Sequence, residues 1–248
     1  MDDRQKDFLK EKFTDVGMRL KERQTEQFLL YFELLTEWNE KINLTTITDF
    51  EDVVIKHFVD SIFSVKIQDF KKVHYLLDLG TGAGFPGIPL KIMYPHLRVT
   101  LMDSLNKRIV FLREVIGRLG LEKTEAVHGR AEDMARLERY REKQDVVVSR
   151  AVANMSTLLE YCMPFVRPGG FFISYKSGKY REELEQSRKA CAILGGKLVS
   201  ETSFQLPGTD IDRSFLVFKK TKKYQKNFPG GPVYPESSLW AEMYMVKG

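Results

Sequence analysis

The sequence contains only two cysteines among its 248 residues, Cys162 and Cys191. They form no C-x-x-C pair, which argues against zinc and iron–sulfur sites, and their small number fits a reducing compartment. No apolar run approaches the roughly 18 residues that a membrane-spanning helix needs. The first residues alternate between acidic, basic and polar side chains, and no apolar signal core follows them. These absences predict a protein of the cytoplasm that binds no metal and has no membrane segment.

Composition predicts a globular protein with a weakly basic surface. Hydrophobic residues make up 43% of the chain and aromatic residues 12%, which is enough for one packed α/β domain with a small appendage. The formal net charge is +5, and part of this excess lies in Lys219, Lys220, Lys222, Lys223 and Lys226. Such a cluster either attracts polyanions such as nucleic acid or is only a solvated surface.

A glycine-rich segment carries most of the functional signal. It runs from Leu76 to Gly87 and reads LLDLGTGAGFPG, so that an apolar stretch ends in Asp78 and continues through Gly80 and Gly82. This pattern is typical of a buried strand that turns into a helix beside a nucleotide-like ligand. Glycine suits the turn because it tolerates positive φ and lets ligand atoms approach the backbone. We therefore expect a nucleoside-containing cofactor here.

Two cofactors fit this segment. The GxGxxG spacing from Gly82 to Gly87 matches the NAD fingerprint, and the DxGxGxG spacing from Asp78 to Gly84 matches that of S-adenosylmethionine (SAM). A dinucleotide site presents backbone N–H groups to a pyrophosphate, which an acid at the end of the strand would repel. SAM instead carries a sulfonium and an ammonium, which the same acid would attract. Asp78 therefore favours SAM.

A second acid supports a nucleoside cofactor of either kind. Asp103 ends the apolar stretch from Val99 and follows Gly84 by 19 residues. A carboxylate at this place can accept hydrogen bonds from both ribose hydroxyls, which SAM and NAD share. Asp103 thus predicts where the ribose binds without choosing between the two cofactors.

The period of apolar residues divides the chain into two regions. Residues 1–66 have helical spacing, with helices over 22–40 and 49–65, and predict a helical cap. From residue 67 to residue 248, short strands alternate with amphipathic helices, which predicts a doubly wound, mostly parallel α/β sheet of seven strands. The predicted strands are 73–79, 98–103, 124–128, 145–149 and 170–176, and a C-terminal antiparallel hairpin follows at 197–204 and 213–219. The predicted helices between them are 106–119, 155–166 and 180–194.

Ligands of such a sheet bind at the carboxyl ends of its strands. This rule brings Asp103, Ala131, Glu132, Arg150 and Lys176 to the crevice of the glycine segment. Glu132 is suited to accept a hydrogen bond from an adenine amino group, and Ala131 offers its backbone. Arg150 and Lys176 end the fourth and fifth strands, and their positive charges predict an anionic second substrate.

The sequence lacks the residues that two common classes of methyl acceptor require. Enzymes that methylate exocyclic amines usually carry an Asn/Asp-Pro-Pro-aromatic loop after the fourth strand, where residues 149–153 read SRAVA. A pyrimidine carbon requires a cysteine nucleophile, but Cys162 and Cys191 fall within predicted helices, where thiols are mostly packed in the core. A nitrogen such as N7 of guanine has a free lone pair and needs only alignment. His57 and Asp60 lie one helical turn apart, and we interpret them as a buried histidine held by an acid.

Five motifs occur together in the order known from one family. They are WNEKINLT at 38–45, HFVDS at 57–61, DLGTGAGFPG at 78–87, DSLNKR at 103–108 and SRA at 149–151. Over roughly residues 20–220 the chain closely resembles the RsmG family, also called GidB. The resemblance implies a SAM-dependent enzyme that methylates N7 of one guanosine in bacterial 16S ribosomal RNA, as naked RNA or within the small ribosomal subunit. We further expect the protein to be a monomer.

The resemblance also implies which residues bind. By resemblance, contacts to SAM are expected from Gly80, Phe85, Ala131, Glu132 and Arg150, with Asp103 at the ribose, and the glycine spacing adds Gly82. Positive charge, and not the resemblance, predicts contacts to RNA from Arg150, Lys176, Lys219, Lys222 and Lys223. No residue is assigned to catalysis. Members of the family usually end in a basic tail, whereas residues 227–248 contain Lys247 as their only basic residue. The lysine cluster would then supply more of the grip on RNA.

Two functions of other classes stay open on the sequence. One is an NAD-dependent oxidoreductase, because the glycine spacing also fits NAD. The other is a non-catalytic RNA-binding protein that retains SAM as a structural ligand. Thermal-shift measurements with SAM and NAD distinguish the oxidoreductase from a methyltransferase. A test for methylation of ribosomal RNA distinguishes the non-catalytic RNA-binding protein from an active enzyme.

Overall fold

The computed structural model describes residues 3–150, 153–177 and 180–223. The strands in these ranges are β1 (Tyr75–Leu79), β2 (Arg98–Asp103), β3 (Thr124–His128), β4 (Gln144–Arg150), β5 (Val166–Lys176), β6 (Gly196–Gln205) and β7 (Asp212–Lys220). They form one sheet in the order β3-β2-β1-β4-β5-β7-β6. The first five strands are parallel to one another, and β7 is antiparallel to both β5 and β6. The predicted doubly wound sheet with a C-terminal hairpin is confirmed.

Helices cover both faces of this sheet. They are α1 (Asp3–Asp15), α2 (Glu22–Ile42), α3 (Phe50–Val53), α4 (Asp60–Ile62), α5 (Gly87–Met93), α6 (Asn106–Arg118), α7 (Ala131–Met134), α8 (Met155–Cys162) and α9 (Arg181–Ile193). A π-helical segment, Val54–Val59, joins α3 to α4, and 3-10 turns follow at Phe63–Lys66 and Phe70–Lys72. In the parts of the chain that the structure describes, none of the helices has the length and hydropathy of a membrane span.

The N-terminal helices pack onto one face of the sheet through aromatic side chains. Phe28 of α2 lies between Phe13 and Phe58, with ring centroids 4.8 and 5.0 Å away. These rings belong to the same hydrophobic core as Leu76 of β1 and Val99 of β2. The opposite face of the sheet is covered by a second cluster, which includes residues of α8 and α9. The cap therefore shares its core with the sheet, and its position relative to the strand ends is set by this packing.

One predicted helix boundary is wrong. The sequence pattern predicts a helix over 155–166, but α8 ends at Cys162 and Val166 already pairs with Gln144 as the first residue of β5. Pro164 has no amide hydrogen with which to continue the helix, so the chain leaves the helical path there. Residues 163–166 are all apolar and buried, and so short an apolar run has no period that separates a buried helix from a buried strand.

Candidate functional site

A cleft of about 620 Å³ opens at the carboxyl ends of β1, β2 and β4. The strand order reverses between β1 and β4, which is the place where doubly wound sheets bind their ligands. All of the predicted cofactor residues line this cleft: Gly80, Gly82, Phe85, Asp103, Ala131, Glu132 and Arg150. The structure thus brings together residues that are up to 70 positions apart in the sequence.

Asp78 lies beneath the glycine segment and does not line the cleft. Its side chain is fully buried, and Oδ2 accepts hydrogen bonds from the Thr81 hydroxyl and the Gly87 amide, both at 2.7 Å. Burial raises the pKa of Asp78 to about 7, while these two hydrogen bonds oppose that rise. Asp78 therefore offers no direct contact to a cofactor in the cleft, and its attraction for the positive charges of SAM stays a prediction. Its carboxyl group holds the glycine segment in shape.

Two glycines of this segment meet different physical requirements. Gly82 has a φ of +61°, and a Cβ built on it would meet no atom within 4 Å, so its backbone lies bare at the cleft. Gly87 begins α5, and a Cβ there would lie 2.4 Å from Leu101 and 2.8 Å from Asp78. Gly82 thus leaves room for a ligand, whereas Gly87 lets the helix pack against the strands.

Asp103 is held in a defined orientation at the end of β2. It is only 3% exposed; Oδ2 accepts from the Gly82 amide and Oδ1 from the Leu105 amide, both at 2.9 Å. Arg108 lies 3.2 Å from Oδ2 and is itself about one-third exposed. The two backbone amides fix the plane of the carboxylate, while the arginine is the contact that an incoming hydroxyl can replace.

Asp103→Ala is expected to weaken SAM binding by about 1.5 to 3 kcal/mol, the usual contribution of hydrogen bonds to a charged group. Isothermal titration with SAM measures this change. Asp145→Ala is the matched control, because Asp145 also accepts from two backbone amides, those of His74 and Tyr75, and from Arg167. Equal losses in both variants, or none in a folded Asp103→Ala protein, would contradict a ribose contact.

Arg150 is the centre of a network of polar side chains at the end of β4. Its Nη1 donates to Oδ2 of Asp60 at 2.9 Å, and the other carboxylate oxygen of Asp60 accepts from Nε of Arg213 at 3.0 Å. Its Nη2 lies 3.2 Å from Nδ1 of His57, and the guanidinium lies 5.2 Å from the ring centroid of Phe85. The interpretation that Asp60 holds His57 directly is wrong, because Arg150 lies between them.

His57 forms part of the wall of the cleft. Its ring stacks on Phe85 with centroids 4.5 Å apart. Arginine can only donate, so Nδ1 accepts from Arg150, and by inference Nε2 carries the proton that faces Thr45 Oγ1 at 2.9 Å. Burial, together with the charge of Arg150, lowers the pKa of His57 to about 3. The imidazole is therefore neutral, with both nitrogens engaged, and is not available as a general base.

Several lining residues were not found from the sequence. They are Leu44 and Thr45 of the cap, Met102 of β2, and Leu158 and Tyr161 of α8. Leu44 and Thr45 belong to the WNEKINLT motif, which could have pointed to them. Tyr161 carries no local signal, since its place at the cleft depends on how α8 packs. Burial raises the pKa of Tyr161, and the neighbouring Glu132 carboxylate raises it further.

Lys176 does not line the cleft and is held by other partners. Its Nζ donates to the Ala153 carbonyl at 2.8 Å and to Glu183 at 2.7 Å, which ties β5 to the start of α9. It lines a smaller cavity of about 230 Å³ together with Lys56, Arg150 and Arg213. Arg150 lines both spaces, so the predicted cations do meet, but beside the cleft rather than in it.

The lysine cluster lies at the edge of the sheet opposite to the cleft, where the parallel strands begin. Lys219 pairs with Phe171 near the start of β5, whereas Lys176 at the end of β5 pairs with Ser214. These five steps along a strand span about 17 Å. Lys219, Lys222 and Lys223 are exposed.

Lys220 does not belong to that exposed surface. Its side chain is fully buried, and Nζ donates to the Met163 carbonyl at 3.1 Å and lies 3.7 Å from Glu142. Burial lowers the pKa of Lys220 to about 8. Lys226 and the atypical C-terminal tail fall outside the described residues.

Neither cysteine has the surroundings of a nucleophile. Cys162 and Cys191 are both buried, and burial raises the pKa of each thiol, for Cys191 to about 11. Among the described residues, no group of three or more His, Cys, Asp or Glu side chains could hold a metal ion.

The sequence comparisons all match proteins of one family. Residues 24–213 match the family model described as rRNA small subunit methyltransferase G. A protein of that name from Lachnoclostridium phytofermentans is 55% identical over 214 residues, which cover 86% of this chain and 88% of the relative. A second, from Alkaliphilus metalliredigens, is 47% identical over 227 residues, covering 92% and 95%.

Solved structures with low sequence identity share the fold. A mutant of MtNAS in complex with S-adenosylmethionine is 17% identical, with a TM-score of 0.53 over 86% of this chain and 77% of that one. TYW2 from M. jannaschii in complex with AdoMet is 16% identical, with a TM-score of 0.50 over 65% and 76%. These similarities concern the architecture of the sheet and its helices.

Proposed function

This chain belongs to the rRNA small subunit methyltransferase G family, and on that premise we propose which of its residues hold the cofactor and the acceptor. It is a SAM-dependent methyltransferase of small-subunit ribosomal RNA. No finding favours the NAD-dependent oxidoreductase or the non-catalytic RNA-binding protein. The observation that carries the assignment of residues is the convergence of all predicted cofactor contacts on one cleft.

The residues of the cleft fit a nucleoside joined to an amino acid. Asp103 is oriented to accept from the ribose hydroxyls, and Glu132 with the Ala131 backbone suits the adenine. The bare backbone at Gly80 and Gly82 suits the methionine portion, and Arg150 suits its carboxylate. When bound, SAM supplies an electrophilic methyl group. Phe85, backed by His57, forms an apolar wall that excludes water from this part of the cleft.

The acceptor proposed is N7 of guanine. Methyl transfer is an in-line displacement, and a ring nitrogen with a free lone pair needs alignment but no general base. Three features support such an acceptor: the neutral His57 has both nitrogens engaged, and Cys162 and Cys191 are buried. The protein's own contribution is then to position the base and to hold the RNA.

The small cavity beside the cleft is proposed to receive a phosphate of the RNA near the target guanosine. Arg150 and Arg213 share the single carboxylate of Asp60, which leaves one excess positive charge. Lys56 and Lys176 line the same cavity, although each also pairs with its own acid. An anion is the ligand that this charge balance favours.

Methyl transfer to 16S ribosomal RNA tests the proposed function. Labelled methyl groups from SAM should enter the RNA, and borohydride with aniline should cleave it at a single guanosine, as expected for 7-methylguanosine. Parallel reactions with naked RNA and with small subunits identify the preferred substrate. Thermal-shift stabilisation by NAD but not by SAM, or methylation without aniline cleavage, would contradict the proposal. We further propose that the protein acts in the cytoplasm as a monomer without metal.

RNA docking is predicted to depend in part on Lys219, Lys222 and Lys223. Replacing all three by alanine should flatten the slope of log affinity against log salt by about two to three, because each phosphate contact contributes 0.7 to 0.9. SAM affinity should not change, since these lysines lie at the opposite edge of the sheet. Filter binding of 16S ribosomal RNA across a salt series measures the slope.

The control for this prediction removes the same charge from lysines and an arginine that are already paired. Lys10, Lys12 and Arg188 lie 3.0, 2.7 and 2.7 Å from the carboxylates of glutamates. The paired-cation variant, Lys10→Ala/Lys12→Ala/Arg188→Ala, should keep the wild-type slope. If the variant that lacks Lys219, Lys222 and Lys223 also keeps the wild-type slope, these lysines are only a solvated surface.

A further inference from the structure

A larger cavity, of about 1140 Å³, lies at the edge of the sheet opposite to the cofactor cleft. It forms where the 3-10 turn Phe70–Lys72 leads into β1, where Pro95 precedes β2 and where Leu121 precedes β3. The start of α2 closes it from the side of the cap. The length of β1 and β2 separates it from the cleft by about 15 to 20 Å. We name it the basal groove and define its border by Arg19, Lys21, Arg23, Lys66 and Lys71.

The border of the basal groove is strongly positive. Its five cations are all exposed, and none of them forms an ion pair with a carboxylate of the described residues. The groove contains two acids, Asp69 and Glu122. Asp69 is already engaged, because it accepts from the Lys71 amide at 3.1 Å and pairs with Lys72 at 3.3 Å. The groove therefore carries an excess of positive charge toward any ligand.

The floor of the groove contains a further cation, Lys91 of α5. It is 2% exposed, and Nζ donates to the carbonyls of Pro95 at 2.7 Å and Leu97 at 2.6 Å. An ammonium has three donors, and no carboxylate in the described ranges of the chain pairs with it. Burial lowers the pKa of Lys91 to about 8, the charge of Lys123 lowers it further, and the charge of Glu122 opposes part of this shift. An anion in the groove would supply the missing negative charge.

The rest of the floor is apolar and partly aromatic. Val65, Ile67 and Met93 are partly buried, and Tyr94 stands beside Phe70 with ring centroids 5.6 Å apart. Proteins that bind single-stranded nucleic acid combine a cationic border, which follows the phosphates, with aromatic rings on which bases stack. The basal groove combines the cationic border with one partly exposed ring, that of Tyr94, which the buried ring of Phe70 supports from below.

We propose that the basal groove binds a single-stranded segment of the substrate RNA, remote from the target guanosine, while that guanosine occupies the cleft at the other edge. The inference rests on the proposed function, since it takes ribosomal RNA as the substrate. The cleft and the basal groove lie at opposite edges of the sheet, and a folded RNA can reach both of them. A short oligonucleotide cannot, so the enzyme should prefer the folded RNA as its substrate. The groove is thus a determinant of substrate choice and makes no contact with the reacting atoms.

The test is the basal-groove variant, Arg23→Ala/Lys66→Ala/Lys71→Ala. Each lost contact to single-stranded phosphate should flatten the salt slope by about 0.7, so affinity for 16S ribosomal RNA at 0.1 M salt should fall between about 5-fold and 100-fold. KM for the RNA should rise accordingly, whereas kcat at saturating RNA and the Kd for SAM should stay the same. The paired-cation variant removes equal charge and should match the wild type.

Two further measurements keep the test decisive. The charge-conserving variant Lys66→Arg/Lys71→Arg should retain the wild-type slope, which separates lost charge from lost folding. Ultraviolet crosslinking followed by mass spectrometry should find RNA on the peptide that contains Tyr94. Wild-type methylation with an unchanged slope and KM in the basal-groove variant would overturn the groove while leaving the proposed function intact.

Two other outcomes would contradict either the proposed function or the RNA-binding role of the basal groove. If the wild-type protein neither binds nor methylates 16S ribosomal RNA, the proposed function itself fails. If the basal-groove variant loses affinity for assembled small subunits but not for naked RNA, the groove binds a protein partner instead, and the RNA proposal is overturned.

Discussion

Gly82→Val is expected to abolish SAM binding while the protein remains folded. The Cβ at this position meets no protein atom within 4 Å and points into open space at the cleft. A valine side chain would therefore fill the volume where the cofactor must approach the backbone. The left-handed φ of +61° also adds about 1 to 2 kcal/mol of strain to any residue with a side chain. Isothermal titration should show no SAM binding, and far-ultraviolet circular dichroism should show native secondary structure.

Gly208→Val is the matched control for this prediction. Gly208 lies in the turn between β6 and β7, has a φ of +76°, and likewise has no atom within 4 Å of a built Cβ. Both variants thus carry a similar backbone strain, but only one of them faces the cleft. SAM affinity should be normal in Gly208→Val. Wild-type SAM affinity in a folded Gly82→Val protein would exclude the glycine segment from the cofactor site.

Asp60→Asn is expected to lower the free energy of unfolding by about 3 to 5 kcal/mol, the usual loss when one partner of a buried ion pair is removed. Asp60 is 1% exposed, and its two oxygens each accept from a different arginine, Arg150 and Arg213. An asparagine amide offers only one acceptor oxygen, and its NH2 group would face a guanidinium that can only donate. Two largely buried cations would then lack their shared counter-ion.

Urea unfolding followed by tryptophan fluorescence measures this loss. Glu37→Gln is the control, because it breaks an exposed ion pair of 2.7 Å with Lys41, and such pairs contribute at most about 1 kcal/mol. A double variant, Asp60→Asn with Arg213→Met, should recover part of the loss, since one of the unpaired cations is gone. A loss in Asp60→Asn no larger than in Glu37→Gln would mean that solvent already screens these arginines.

The features that sequence reasoning predicted correctly are local ones. The glycine segment between β1 and α5 and the acid at the end of β2 are encoded within a few consecutive residues. Alternation of short apolar runs with amphipathic helices predicts a parallel sheet, and a parallel sheet places its strand ends at one edge. This is why Gly80, Asp103, Glu132 and Arg150 could be assigned to one site before their positions were known.

Features that depend on side-chain partners could not be predicted in this way. Arg213 reaches Asp60 from 153 positions away, and Lys176 is held by Glu183 on a different element. Lys219 and Lys220 are neighbours in a lysine-rich stretch, yet one is exposed and the other fully buried, because successive residues of a strand face opposite sides of the sheet.

By itself, the sequence determined the order and type of the elements, the glycine turn and the edge of the sheet at which the cofactor cleft lies. Those features follow from backbone preferences and from apolar period, which act over a few residues. The tertiary structure alone decided that Asp78 holds the loop, that Arg150 joins His57 to Asp60, and that unpaired cations surround the basal groove. These outcomes depend on distances between residues that are remote in the chain, because burial and ion pairing are set only when the elements pack.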